Sequence, residues 1–303
     1  MSFKARITTT SRPFILDGAL GTLLPPESQS HALWSTHTVL SHPSIISDIH
    51  KSYITHGARI IQTSTYQTSE EAVEKWFPGK NYKDVVLKSV ELADRARSES
   101  GVPGVFIAGS VGPFGASLAN GAEYTGQYGD VDKVGIKKFH QVRLDVLCND
   151  ERVDLIALET IPNKDEIKTL IEEMNQKEKP YYLSLSVKED NLADGASSDE
   201  IIKIVKEAND NLVAVGVNCL SLETSLKWLK TLKPLNRGLV VYPNSGELYV
   251  DRQWVRDSSK KQLTWEEYVA ELKAIGDVRI VGGCCRTTPE IIGEIKTAVD
   301  KLF

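Results

Sequence analysis

Eight apolar, β-branched runs, each followed by a segment of helical periodicity, constrain this chain more than any other feature in it. The runs start at Phe14, Ala58, Val105, Val153, Tyr181, Leu212, Gly238 and Val278. Most are continuously apolar rather than alternating, as expected of parallel strands covered on both faces. Amphipathic stretches lie between them over 82–98, 131–149, 165–177, 199–209, 221–232 and 265–275. The last, 289–302, opens with "TTPE", a cap followed by proline at the first helical position. Eight strand–helix units in 303 residues predict an α/β fold of the closed (β/α)8, TIM-type kind. An open doubly wound sheet is the alternative should the strand count slip by one. No linker or low-complexity stretch divides the sequence, so residues 1–303 read as one barrel domain.

Charge and composition narrow the partners. The net charge of −5, with no basic face, argues against nucleic acid. No apolar run approaches about 18 residues, so no membrane span is expected. The opening "MSFKARITTTSRPF" lacks an apolar export core. Four cysteines without a paired framework suit a reducing compartment, and the expected location is the cytoplasm. Small-molecule substrates follow as the expected partners; the oligomeric state is left open.

In a barrel of this type the carboxyl ends of the strands share one mouth, and active sites sit there. Those ends carry Asp17, the stretch Thr63 to Tyr66, Glu159, Asn218 with Cys219, and Cys284 with Cys285. Each has a dull reading taken alone: Asp17 could start a turn before Gly18, and Glu159 could cap the helix after Pro162. Their joint placement is the signal. Two long segments leave the same face, "GASLANGAEYTGQYGD" after the third strand and "ELYVDRQWVRDSSKKQ" after the seventh. Long loops in compact domains are usually functional. Both are read as lid-forming loops, with Tyr124, Tyr128, Tyr249 and Trp254 as their aromatic surface.

Why should a chain with four cysteines set two side by side? A vicinal disulfide fits poorly, because consecutive Cα atoms lie about 3.8 Å apart and relaxed disulfides want roughly 4.4–6.8 Å. Cys148, in "DVLCND" on a helical apolar stripe, reads as a small core residue. Cys219, Cys284 and Cys285 fall at the ends of strands six and eight, whose axes in a barrel lie roughly 10 Å apart. Sulfurs leaning inward from both could share one ion. Both neighbours of the pair reach it only if the strand has ended, a freedom expected from Gly282 and Gly283. Three soft ligands select Zn2+ over harder cations, and three protein ligands leave one open position, as in catalytic zinc. None of the six histidines lies near these strand ends in sequence; His31 to His56 are expected at the surface.

An all-thiolate zinc site is a weak Lewis acid for water but holds an incoming thiol as thiolate. Alkyl transfer to sulfur from a cationic donor is its natural use. A thiol amino acid would offer an ammonium to Asp17 and Glu159 and a carboxylate to backbone N–H groups near Gly18. A zinc hydrolase and a non-enzymatic thiol or zinc sensor remain as alternatives at this point.

"DGALGT" at 17–22, "TSTYQT" at 63–68, "GPFGASLANGAEYTGQY" at 112–128, "ALETIPN" at 157–163, "GVNC" at 216–219, "YPNSGE" at 242–247 and "GGCCR" at 282–286 occur in that order. Together they resemble the zinc-dependent homocysteine S-methyltransferases. The resemblance implies a (β/α)8 barrel that makes methionine from homocysteine, with zinc on Cys219, Cys284 and Cys285. It implies that Asp17 and Glu159 contact the amino-acid part of homocysteine, with Gly18, Thr63, Tyr66 and Asn218 lining the site. Within the family, "GASLANGAEYTGQY" and "YPNSGE" look like the branch using S-methylmethionine or S-adenosylmethionine rather than betaine. Ala19 departs from a pattern that carries glycine there. Tyr66, Tyr124 and Tyr128 are expected as an aromatic wall for the donor, and selenol acceptors such as selenocysteine remain open.

Overall fold

Ten strands run along the described part of the chain: β1 (Phe14–Ile15), β2 (Ile60–Gln62), β3 (Phe106–Val111), β4 (Leu155–Ile161), β5 (Tyr181–Leu185), β6 (Leu212–Asn218), β7 (Gly238–Tyr242), β8 (Glu247–Val250), β9 (Gln253–Arg256) and β10 (Val278–Val281). The computed structural model describes residues 2–250, 253–256 and 263–303, without the side chains of 248–250 and 253–256. Eight strands form one parallel sheet in the order β1-β10-β7-β6-β5-β4-β3-β2. Its ends join through a parallel bridge between Leu16 and Ile60. There Arg59 N–H donates to the Ile15 carbonyl at 2.7 Å and Asp17 N–H to the Ile60 carbonyl at 3.0 Å. The sheet therefore closes, and the open-sheet alternative falls. Every residue of β3, β4, β5 and β6 is buried, which is why these runs carry no polar alternation.

Helices fill the connections near the predicted positions. Trp265–Ile275 and Pro289–Leu302 match to the residue, whereas the helix expected over 199–209 ends at Val205. Trp265–Ile275 is opened by a capping box, in which Thr264 Oγ1 accepts from Glu267 N–H while the Glu267 carboxylate accepts from Thr264 N–H. A further helix, Phe3–Thr9, plugs the amino-terminal end of the barrel. Phe3 sits against Phe14 and Phe106, the first residues of β1 and β3, with ring centroids 5.7 and 5.0 Å away. Burying Phe3 and Ile7 there is worth about 1.5–3 kcal/mol each.

One expectation is corrected. The segment after β7 is not an irregular loop: β8 and β9 pair as an antiparallel ribbon, with Tyr249 opposite Trp254. Aromatic and β-branched residues on both arms favour such pairing. The side chains of Tyr249 and Trp254 lie outside the described residues. No helix among the described residues is long and apolar enough to cross a membrane.

Candidate active site

The carboxyl ends of the strands surround a cavity of about 470 Å³, and all nine site residues read from the sequence line it. Local backbone features aim them. β6 ends at Asn218, and Cys219 turns through a left-handed conformation at φ 61°. That conformation costs a non-glycine residue about 1–2 kcal/mol, a strain that clusters at functional sites. β10 stops at Val281, so Cys284 and Cys285 lie in the turn beyond it and escape the alternation of a strand. Cys284 N–H donates to the Pro243 carbonyl at 2.7 Å, and Cys285 N–H to Asn244 Oδ1 at 3.1 Å. The two glycines before them act differently from expectation, since neither has a positive φ. A Cβ on Gly283 would meet the Thr287 side chain at 2.4 Å, and one on Gly282 would meet Leu16 Cβ at 2.6 Å. Close approach, rather than backbone freedom, requires glycine there.

The Sγ atoms of Cys219, Cys284 and Cys285 lie within 4.8 Å of one another, with Cys219 and Cys285 at 3.5 Å. Sulfurs about 2.3 Å from a shared tetrahedral ion stand roughly 3.8 Å apart. S–H donation from Cys284 and Cys285 holds the Cys219 thiol well below its usual range, while the thiols of Cys284 and Cys285 are pushed up by their bonds to Cys219. Only a cation lets all three ionise, so the donor set fits a thiophilic divalent metal. No histidine joins this group among the described residues. His50, expected near the surface, is instead fully buried, and burial drags its imidazole down to about 4. Cys148 packs half-buried against the core, as expected, and burial raises its thiol to about 11.

Two carboxylates face this cluster. A register shift in β4 between Leu158 and Ile161, with Thr160 at φ 58°, turns both Glu159 and Thr160 toward the mouth. Glu159 accepts from Gln62 Nε2 at 2.7 Å, from Tyr242 Oη at 3.3 Å, and from Ser110 Oγ. Burial nevertheless pushes its carboxyl up. Asp17 Oδ2 accepts Gln62 N–H at 2.9 Å, whereas Oδ1 is buried without a partner among the described residues. Its carboxyl lies well above the ordinary range, through burial and the nearby Glu159. Among the described residues no cationic side chain pairs with either carboxylate. The Asn218 amide accepts from Thr160 N–H at 3.0 Å and Ser184 Oγ at 2.7 Å and donates to Thr160 Oγ1 at 2.8 Å, while its Nδ2 also lies 4.0 Å from Cys284 Sγ. The Thr63 hydroxyl is likewise engaged by Thr65 Oγ1 at 2.7 Å and Ser110 N–H at 3.0 Å. At Gly18 a Cβ would strike the Thr287 carbonyl at 2.6 Å and Tyr53 at 2.8 Å. Ala19 N–H is already taken by that carbonyl at 3.0 Å.

The loop over 112–128 crosses the mouth and is pinned from below. Buried Arg143 donates to the carbonyls of Tyr66 at 2.7 Å and Gly112 at 2.8 Å. Buried Glu166 accepts from Phe114 N–H at 2.6 Å and from Tyr128 Oη, and pairs with His140 at 2.7 Å. Tyr128 is therefore an anchor of the loop and not part of the cavity wall, contrary to expectation. Tyr124 does reach the site, its Oη 3.4 Å from Cys219 Sγ. Replacing Arg143 with Met should orphan these buried carbonyls and lower stability by about 3 kcal/mol or more. A shift of the urea midpoint checks this.

A model of the homocysteine S-methyltransferase family matches residues 14–299. The chain belongs to that family. Similar members include the homocysteine S-methyltransferase of Escherichia coli (strain K12), 34% identical over 93% of this chain and 94% of its own length. A selenocysteine methyltransferase of Astragalus bisulcatus is also 34% identical, over 93% of this chain and 90% of its own. Among solved structures, the metallated form of the Escherichia coli homocysteine methyltransferase MmuM superposes with a TM-score of 0.81 at 32% identity, covering 97% of this chain and 98% of that one. The barrel and the family read from the sequence are thus shown. Sequence reasoning missed the polar partners that hold the site: Gln62, which joins Asp17 to Glu159, and Ser110, Thr160 and Tyr242. Gln62 ends an apolar run at the mouth, a signal of the kind that singled out Asp17 and Glu159.

Proposed function

We propose that this protein, acting as one barrel domain, transfers a methyl group from a sulfonium donor to the sulfur of homocysteine, using zinc held by Cys219, Cys284 and Cys285. The observation that carries the reading is the convergence of three sulfurs beside two buried carboxylates in a single cavity. Zinc bound there would supply the positive charge that keeps the acceptor sulfur deprotonated at neutral pH. Asp17 and Glu159 receive the ammonium of homocysteine, with Gln62 fixing the distance between them. Asn218 braces the turn at Thr160, and Gly18, Thr63 and Tyr66 shape the wall against the acceptor. With the amino acid held at one end, its sulfur is aimed at the donor methyl. The new carbon–sulfur bond forms as the old one breaks. The electron pair stays on the donor sulfur, and both products leave as neutral thioethers.

A cationic donor suits a cavity walled by carboxylates and thiolates, and Tyr66 and Tyr124 offer aromatic faces worth about 0.5–2 kcal/mol to it. Selenols belong in the acceptor range as well, because a selenocysteine methyltransferase is as similar to this chain as the Escherichia coli enzyme is. The test is methyl transfer to homocysteine from S-methylmethionine and from S-adenosylmethionine, each with and without a strong chelator. Transfer from at least one donor is expected, lost on chelation and restored by zinc. Metal-loaded protein that accepts a methyl group from neither would overturn the reading.

A further inference from the structure

Three protein sulfurs line the cavity in which the substrate sulfur is to react. Metal ligation requires each of them to be ionised, so each is a nucleophile. A sulfonium methyl brought here therefore meets acceptors that belong to the protein itself. A methylated cysteine is a neutral thioether and is lost as a metal ligand. The hazard is greatest at Cys219, because Tyr124, which touches it, belongs to the wall offered to the donor.

Tyr124 Oη lies 3.4 Å from Cys219 Sγ. A phenol keeps its proton at neutral pH, so beside a thiolate the hydroxyl is the donor. Tyr124 is 47% exposed, and water could serve its hydroxyl, yet the polar tip is turned onto sulfur. The fold sets this contact from both sides. Cys219 turns inward through its left-handed backbone at φ 61°. The short turn Ala122–Tyr124 is seated so closely that a Cβ on Gly115 would meet the Ala122 carbonyl carbon at 2.7 Å. Arg143 and Glu166 pin the start of the same loop through Gly112 and Phe114.

A donated O–H draws charge from the sulfur that accepts it, and the nucleophilicity of a thiolate falls with its basicity. We propose that the Tyr124 hydroxyl acts through Cys219 as a positioning group that damps this sulfur, so that the donor methyl goes to homocysteine and not to the protein's own ligand. This rests on the sulfonium reading above. In the reaction it suppresses, Cys219 Sγ forms a bond to the methyl carbon as the donor's carbon–sulfur bond breaks. The electron pair stays on the donor sulfur, as in the productive transfer.

The experiment compares the metal-loaded full chain with Tyr124→Phe, which keeps the ring and removes only the hydroxyl. Each is incubated with S-methylmethionine without homocysteine, and intact and peptide masses are followed. Cys219 should gain one methyl group about 10- to 100-fold faster in the variant, the effect of losing a hydrogen bond to a charged group. Metal should leave in step with that gain. In cobalt-substituted protein with no donor present, the sulfur-to-metal charge-transfer band of the variant should lie at longer wavelength, because the released sulfur is the better electron donor. Methylation of Cys219 at the parental rate, methyl groups on Cys284 or Cys285 instead, or an unmoved cobalt band overturns the inference. A parent that uses no sulfonium is a different result and removes the methyl-transfer reading itself. Iodomethane, which needs no donor site, then compares Cys219 in the two proteins, and equal rates overturn the damping.

Discussion

Cys285→Ser should release the metal and remove turnover while leaving the barrel folded. The change replaces one sulfur with an oxygen that does not ionise at neutral pH, so two thiolates must hold a dication alone. Backbone contacts do not depend on the sulfur: Cys285 N–H reaches Asn244 Oδ1 at 3.1 Å, and its carbonyl accepts Ser245 N–H at 3.1 Å. Loss of an outer partner of a metal ligand costs about 10- to 100-fold in affinity or activity, and loss of the ligand itself should exceed that. Turnover should therefore fall by more than about 100-fold, with metal content far below one per chain and an unchanged far-ultraviolet spectrum. Apparent stability should fall too, since an ion bound to the native state contributes by mass action. Cys148→Ser is the control. That sulfur lies on the helix Lys133–Asn149, packed against the core and apart from the three-cysteine group, and should retain both metal and activity. Full activity in metal-free Cys285→Ser protein would end the metal assignment.

The contrast between these cysteines was legible before any coordinates, because a barrel converts sequence position at a strand end into spatial position at one mouth. Asp17, Glu159 and Cys219 could be placed together from eight apolar runs alone, with no side-chain geometry. What could not be placed depended on departures from a regular strand. The shift in β4 aims Glu159 and Thr160 into the same cavity, and positive φ at Cys219 and Arg286 shapes the two cysteine turns. Such features follow from packing around the closed barrel, and no residue in "ALETIPN" announces a bulge. Arg143 and Glu166 were missed for a related reason. Each lies on a helix whose apolar stripe is otherwise ordinary, and each is buried because a loop distant in sequence needs its hydrogen bonds. The β8–β9 ribbon reads as a loop in the sequence because Gly, Ser and charged residues flank two arms of only four residues each.

Asp17→Asn should weaken homocysteine binding and, in the same protein, raise stability at neutral pH. The first effect follows from charge. Asp17 Oδ1 is buried with no partner among the described residues, so an ammonium arriving there completes a charge-assisted bond worth about 1.5–3 kcal/mol. Removing that charge should raise the KM for homocysteine by about 10- to 100-fold and leave the KM of the methyl donor unchanged. The second effect follows from linkage. The folded protein holds the Asp17 carboxyl well above its unfolded value, chiefly through burial. Its ionised form therefore opposes folding. Below the unfolded value both states are protonated and the penalty is absent. It grows as pH rises from there and is complete once pH passes the folded value. Asparagine keeps the acceptor for Gln62 N–H and removes the charge, so the melting temperature of the variant should overtake the parent's as pH increases. Glu159→Gln should differ, because that carboxylate already accepts from Gln62, Ser110 and Tyr242, and an amide nitrogen would face those donors. It should lose homocysteine affinity without the gain in stability. If Asp17→Asn were more stable yet bound homocysteine as tightly as the parent, the buried charge would be real but the ammonium would have to lie elsewhere.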